Sequence, residues 1–321
     1  MRVLVTGGAG FIGANLCRAL ATRPEVKKIT VLDDLSSGEL ANLDGVGVDF
    51  VMGSILDRDL LASLVADVAT VVHLAARPSV PRSLLDPLAS HSVNATGTLH
   101  VLEACRANRP HVILASSSSV YGDRPEPRKH EDLPTRPLSP YGASKLATEA
   151  YALAYAHSFG LPVLPFRFFN VYGPLQTAGH AYAAVIPAFV SAALRGEPVP
   201  LHGDGLQARD FTYVESVTRV IADAAVRRVT SMKPVNLAFG TRTSLQQVMD
   251  VLTTVLGRPI ESVTLPLREG DIRESQASPR LLREMFPDVC PLSLEDGLRA
   301  TVAWFEKTPA SGISAGLGTP A

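Results

Sequence analysis

The chain opens Met1-Arg2-Val3-Leu4-Val5-Thr6-Gly7-Gly8-Ala9-Gly10-Phe11-Ile12-Gly13. A short apolar strand runs straight into glycines at 7, 10 and 13. The apolar spacing of Phe11, Ile12, Leu16 and Leu20 then predicts a helix. Strand, tight turn and helix in this order commit the chain to a βαβ unit. When a pyrophosphate sits at such a turn, one glycine permits the turn, one lets the backbone approach the phosphate and one lets helix pack on strand. The helix N-terminus adds free N–H donors and a positive dipole end. Asp33 ends the next predicted strand, about 20 residues on, where a carboxylate bonds a ribose 2′-hydroxyl and repels a 2′-phosphate. No Arg occurs in Asp34-Leu35-Ser36-Ser37. NAD is therefore expected rather than NADP, held at this end by Gly7, Gly10, Phe11, Ile12, Gly13, Asp33, Asp34, Ser36 and Ser37.

Strand and helix signals alternate through the first half. β-Branched apolar runs fall at 2–6, 28–32, 48–52, 69–73 and 110–115, with a further strand at 161–169. Helical patterns fall at 11–22, 57–66, 86–107 and 140–159. Such alternation predicts a parallel sheet with helices on both faces. Beyond residue 170 Pro and Gly become frequent, and helical patterns return at 183–195, 214–227, 244–256 and 293–306. The expected architecture is α/β, a Rossmann-type doubly wound parallel sheet with a smaller mixed α/β C-terminal substrate lobe. Residues 1–170 form the first unit, with later segments interleaved, 171–307 mainly the second, and the Gly/Pro-rich 308–321 a flexible tail.

The chain has 321 residues, 46% hydrophobic and 19% charged, with a net charge of -1, which argues against a broad nucleic-acid or anionic-membrane surface. Its three cysteines, Cys17, Cys105 and Cys290, are widely spaced, suggesting neither a disulfide framework nor a zinc site. No apolar run approaches the ~18 residues that would span a bilayer. A strand beginning at residue 2 leaves no room for a signal peptide, so a cytoplasmic protein is expected. His73 ends an apolar strand without a second ligand at metal spacing and reads as packing. No metal is assigned.

Tyr141 and Lys145 lie four apart, behind Ser139-Pro140 as N-cap and first helical residue. That spacing puts phenol and ammonium on one helix face. A free Tyr titrates near ~10 and is a poor base at neutral pH. A nearby ammonium and the positive nicotinamide of NAD are expected to bring it down, making Tyr141 a candidate acid/base. Ser116-Ser117-Ser118-Ser119-Val120-Tyr121-Gly122 follows the strand at 110–115, placing hydroxyls where open α/β sheets bind ligands.

With these motifs the chain resembles the extended short-chain dehydrogenase/reductase family, and within it the UDP-glucose 4-epimerase group, over residues 1–306. The resemblance rests on the glycine motif, His73-Leu74-Ala75-Ala76, Asn94, the Ser-rich run, Tyr141-Gly142-Ala143-Ser144-Lys145 and Arg167-Phe168-Phe169-Asn170-Val171-Tyr172-Gly173-Pro174. Gly203-Asp204-Gly205-Leu206-Gln207-Ala208-Arg209-Asp210-Phe211 and Arg268-Glu269-Gly270-Asp271 complete it. It implies Ser117 as the catalytic Ser, Tyr141 as the base and Lys145 as the ligand of the nicotinamide ribose. Ser54, Ile55, Leu74, Ala75, Ala76, Asn94 and Phe168 fall among the cofactor contacts. Arg77, Ser83, Ser117, Ser118, Asn170, Val185, Arg209, Arg268, Asp271 and Ser275 fall on the substrate side. A planar guanidinium suits a diphosphate, in keeping with Arg209 and Arg268.

The implied reaction removes hydride from C4 and a proton from its hydroxyl, turns the 4-keto sugar and returns hydride to the other face. The implied substrates are UDP-Glc/UDP-Gal and the implied assembly a homodimer through 86–107 and 140–159. Ser118 and Ser119 replace the Asp-Glu pair of sugar-nucleotide 4,6-dehydratases. Asn170 and Thr177 replace the Thr and Arg of many uronic-acid 4-epimerases, although Arg77 or Arg82 can supply a cation. Ser275, at a gate position where a bulky Tyr restricts the pocket, leaves room for an N-acetyl group and so for UDP-GlcNAc/UDP-GalNAc. Two departures concern the cofactor and its lobe: Ser54 stands where an Asp meeting the adenine amine is usual, and Ser278 replaces a common Asp. The alternatives are a UDP-glucuronate 4-epimerase, another sugar-nucleotide epimerase or reductase, or a non-catalytic NAD(H)-sensing protein.

Overall fold

The structure, a computed structural model, describes residues 1–178, 184–266 and 273–308. Strands β1 (Arg2–Thr6), β2 (Lys28–Asp33), β3 (Asp49–Met52), β4 (Thr70–His73) and β5 (His111–Ser117) alternate with helices α1 (Phe11–Ala21), α2 (Arg58–Val65), α3 (Val80–Leu85), α4 (Pro87–His91) and α5 (Gly97–Cys105). Next come β6 (Arg128–Lys129), α6 (Pro140–Phe159), β7 (Val163–Phe168), β8 (Val171–Tyr172), α7 (Val185–Arg195) and β9 (Val199–His202). The described chain continues through β10 (Ala208–Arg209), β11 (Thr212–Tyr213), α8 (Val214–Arg227), β12 (Val235–Leu237), β13 (Thr243–Ser244) and α9 (Leu245–Leu256). It closes with β14 (Ser262–Leu265), β15 (Glu274–Ala277), α10 (Arg280–Met285) and α11 (Leu294–Lys307).

Seven strands in the order β12-β7-β5-β4-β1-β2-β3 form one sheet, every neighbouring pair parallel. Its strands read as near-continuous apolar runs because helices cover both faces. On one face Val3, Val5, Val31 and Val72 pack with Leu16, Leu20, Val217, Val220 and Ile221 of α1 and α8. On the other, Leu4, Leu32, Val71 and Val112 pack with Leu61, Val101, Leu102, Ala152 and Tyr155 of α2, α5 and α6. A separate core joins α7, α9 and α11 through Phe189, Val190, Val248, Leu252, Leu298 and Phe305. The doubly wound sheet and the smaller C-terminal region match the sequence reading.

Three elements differ from it. The helix expected over 86–107 is two helices joined by a π-turn at Ser92–Thr96. There the Asn94 carbonyl accepts from the hydroxyls of Thr98 and Thr148, and side-chain donors inserted into the ladder widen it. The strand expected over 161–169 is paired only over 163–168. Most consequentially, β12 at Val235–Leu237 returns to the edge of the large sheet, although three residues are too short for a periodicity.

Candidate active site

Along the carboxyl ends of β1, β2, β4, β5 and β7 lies a cavity of about 730 Å³. The topological switch point falls between β1 and β4, where open α/β sheets bind ligands. Its floor is the glycine turn. Gly7 takes φ +72°, and a Cβ there would press on the Ala75 backbone at 2.6 Å. A Cβ on Gly13 would meet the Gly7 carbonyl oxygen at 2.1 Å, so helix and turn touch only because that residue has no side chain. Asp33 stands beside the turn, its Oδ2 accepting from Ala9 N and its Oδ1 from Leu35 N, each at 2.9 Å. Burial nevertheless pushes its pKa up, the two backbone N–H groups opposing that rise.

The structure brings most of the sequence-chosen residues to this one cavity. Gly7, Gly10, Phe11, Ile12, Gly13, Asp33, Asp34, Ser36, Ser37, Ile55, Leu74, Ala75, Ala76 and Phe168 line it, as do Ser117, Ser118, Tyr141, Lys145, Asn170 and Val185. Several do not. Ser54 lies outside the lining, its hydroxyl accepting from Leu56 N at 3.2 Å. Asn94 is 1% exposed and its amide is engaged by Arg77 and Ser144, which makes it a tie between β4's following loop and α6. Arg77 faces Asp86 at 3.5 Å. Ser83 is buried and its Oγ accepts from Tyr141 N at 3.1 Å, anchoring α3 to the start of α6. Arg209 and Ser275 sit opposite each other where β10 pairs with β15, outside the cavity lining. Arg268 and Asp271 lie outside the described residues.

Sequence reasoning missed Glu39, Asn42, Ser79, Leu175 and Gln176, all in the lining; Arg82, named only as a replacement cation, lines it too. No spacing along the chain marks the first two, which a tertiary contact brings in. Gly38 approaches Ala9 so closely that a Cβ would stand 2.8 Å from its carbonyl carbon, and Glu39 N and Asn42 Nδ2 both donate to Ala9 O. Ser79 and Leu175 carry φ values of +95° and +70°, a strained state that only the fold reveals.

Ser117, Tyr141 and Lys145, the candidate catalytic residues, line the cavity at the end of β5. Ser139 caps α6 by accepting from Gly142 N at 3.0 Å, and Pro140 follows, so the helix starts where Tyr141 can turn into the cavity. Ser117 Oγ accepts from Ser119 N and donates to Ser119 Oγ, each at 3.1 Å, and it stands near enough to the Tyr141 phenol to oppose the upward shift of its pKa. Lys145 Nζ donates to the Ala115 carbonyl at 2.9 Å, and burial lowers its pKa to about 8. In the protein without cofactor the ammonium does not by itself depress the phenol. Burial pushes Tyr141 upward, and the group that opposes this is the Ser117 hydroxyl, not the ammonium. The Lys145 charge is instead felt by His73, whose ring is held between Thr6 and Thr98 at 2.7 and 3.0 Å. Burial chiefly, then Lys145, depress that imidazole to about 3. It is neutral and structural, as read from sequence. No group of three or more metal-ligating side chains occurs among the described residues.

Acid stability follows from these rings. His111, buried and bonded to the Val229 carbonyl, is likewise depressed to about 4. Below pH 6.5 the unfolded chain binds protons that both folded rings refuse, so stability falls as pH drops toward 4. Asp210, raised to about 6 by burial, opposes this between pH 3.8 and 6, because there the folded chain binds the extra proton. Moving a pKa by one between the folded and unfolded chain changes stability by about 1.4 kcal/mol. His111→Gln, which keeps an N–H donor, is expected to flatten the loss. Thermal melts between about pH 7 and 4.5 measure it, and an unchanged slope contradicts it.

The chain belongs to the NAD dependent epimerase/dehydratase family, whose model matches residues 3–238. It is 36% identical to a UDP-glucose 4-epimerase of Mycolicibacterium smegmatis over 95% of this chain and 98% of that one. Among solved structures it superposes with a TM-score of 0.89 on a UDP-N-acetylglucosamine 4-epimerase from Methanobrevibacter ruminantium M1 in complex with UDP-N-acetylmuramic acid. That match has 36% identity and covers 95% and 98% of the two chains. A UDP-glucose 4-epimerase of Thermus thermophilus in complex with NAD gives 0.86, 35%, 96% and 100%. The protein is an NAD-dependent enzyme of this family. The glycine floor that a Cβ would fill and the Asp33 carboxylate in the lining fit that cofactor. No helix among the described residues is long and apolar enough to cross a membrane.

Proposed function

We propose that the protein epimerises a UDP-hexose at C4, with UDP-Glc/UDP-Gal as its substrates and UDP-GlcNAc/UDP-GalNAc as further ones. The observation that carries this reading is the convergence of Ser117, Tyr141 and Lys145 on one cavity with the glycine turn and Asp33. NAD held over the glycine turn and Asp33 would supply reversible hydride acceptance at C4. Tyr141 removes the proton of the sugar 4-hydroxyl as the C4–H bond breaks, and returns it when C4 is reduced from the opposite face. Ser117 donates to the same oxygen. Lys145 adds positive charge beside the phenol's partners and holds the nicotinamide ribose. The nucleotide diphosphate is met by Arg209, with Arg268 and Asp271, which lie outside the described residues, as its further partners.

Ser118 and Ser119 line the cavity where acid pairs would drive elimination, which favours return of hydride over dehydration. Incubating the purified protein, without added cofactor, with UDP-Glc, UDP-GlcNAc and UDP-GlcA separately, and resolving the C4 epimers by chromatography, tests the assignment. Inertness toward all three refutes it. Conversion of UDP-GlcA alone replaces it with the uronate reading. Ser275→Tyr is expected to depress acetamido-sugar turnover about tenfold or more while sparing UDP-Glc, since this reading has the sugar's C2 group extend past the cavity lining toward β15, where added bulk rejects the larger group. Equal loss on both sugars removes the gate.

A homodimer through α6 and the segment 86–107, which comprises α4 and α5, is part of this proposal. Ala143, Ala150 and Ala154 of α6 are exposed, small enough for close helix approach. Beside them Leu84, Leu85 and Leu88 are 63%, 74% and 83% exposed, an apolar patch of the kind that marks an interface. A monomeric mass in sedimentation refutes it.

A further inference from the structure

From Ser116 in the cavity lining a buried polar chain, left unused by the chemistry above, runs back through Glu149 and Arg167. Ser116 adjoins Ser117 on β5, Glu149 lies one turn beyond Lys145 on α6, and Arg167 adjoins Phe168 on β7. Each is 3% exposed. Ser116 Oγ donates to Glu149 Oε2 at 2.9 Å and stands 3.2 Å from the Lys145 carbonyl oxygen. Arg167 grips the same carboxylate with two donors, Nε to Oε2 at 3.0 Å and Nη2 to Oε1 at 2.6 Å. Its guanidinium carbon lies 4.7 Å from the Tyr121 ring centroid. Tyr121 then donates to Asn236 Oδ1 at 2.7 Å, and Asn236 Nδ2 to the Lys129 carbonyl at 2.9 Å.

Stability is a weak reason for such a pair, because well-packed apolar residues in place of a buried ion pair are often as stable. A bidentate fork supplies something that apolar packing does not, a fixed direction as well as a fixed distance. Here the direction matters, since each member is one residue or one helical turn from a cavity residue. The roll of α6 over β5 and β7 decides where Lys145 and Tyr141 point. The fork is the charged contact among the described residues that joins α6 to β7.

We propose that Glu149 and Arg167 are positioning residues, whose fork sets the roll of α6 and thereby holds the Tyr141 phenol near Ser117 and the Lys145 ammonium on the Ala115 carbonyl. The kinetic part of the test rests on the 4-epimerase reading, and the spectroscopic part does not. Glu149→Gln keeps the shape and loses the charge, while Arg167→Lys keeps the charge and loses the fork. For both, kcat is expected to fall about 10- to 100-fold, since misplacement by about 1 Å can cost that much. KM should stay within about threefold and NAD should remain bound. The titration of the Tyr141 phenol, read as the ultraviolet difference from a Tyr141→Phe background, should be displaced from wild type in each. Variants that melt earlier but keep wild-type kcat and an undisplaced titration overturn the proposal and leave a structural role. If Glu149→Gln does not fold, Arg167→Lys alone decides. A wild-type protein inert toward every UDP-sugar defeats the function reading, yet the phenol titration still decides this one.

Discussion

Tyr141→Phe is expected to lower turnover by about 10³-fold or more while leaving the bound cofactor in place. A positioned acid/base group is worth about 10²- to 10⁴-fold, and Tyr141 is the cavity phenol that stands near the Ser117 hydroxyl. Phenylalanine keeps the ring and its packing at the start of α6, so the fold and the glycine cradle should survive. The phenol's pKa is raised by burial in the protein alone. Wild-type activity should therefore rise with pH until the phenolate is populated, and this limb should vanish in the variant. Turnover from chromatography, together with NAD released on denaturation, measures both halves. A variant with near wild-type turnover would transfer the acid/base role elsewhere, and one without NAD would mark the substitution as structural.

Gly13→Ala is the second large effect, and it acts on the cradle instead of the chemistry. Its Cβ would stand 2.1 Å from the Gly7 carbonyl oxygen and 2.7 Å from Gly8 Cα. Those neighbours are backbone in a tight turn, with Gly7 already at φ +72°, so neither can swing aside. Either α1 moves off β1 or the turn opens. Overpacking of this kind costs about 1–3 kcal/mol or more. Any displacement is delivered to the segment that would meet a pyrophosphate, so cofactor retention should fall with stability. Calorimetry and NAD content of the purified variant test it. Full retention with an unchanged melting temperature would mean that the helix N-terminus does not carry the phosphate contact.

The large sheet was legible because its determinants are local. β1, its glycine turn and α1 occupy consecutive residues, and the i,i+4 spacing of Tyr141 and Lys145 lies within one helix, so chain order alone brings them together. Sequence reading stopped short where distant segments decide. Asn94 reads from sequence as a cofactor contact, and the structure adds that Arg77 and Ser144 bond its amide. The 86–107 helix breaks because Thr148, on α6, adds a donor to the Asn94 carbonyl.

The amino-acid sequence by itself determined the βαβ commitment, the acidic stop at Asp33 and the pairing of Tyr141 with Lys145 on one helix, because each depends on backbone geometry within a few residues. The tertiary structure alone decided that β12 completes the sheet, that Gly38 closes its loop over Ala9 and that the phenol's pKa moves upward. Sheet edges, close approaches and desolvation depend on which distant atoms exclude water, and no spacing along the chain records them.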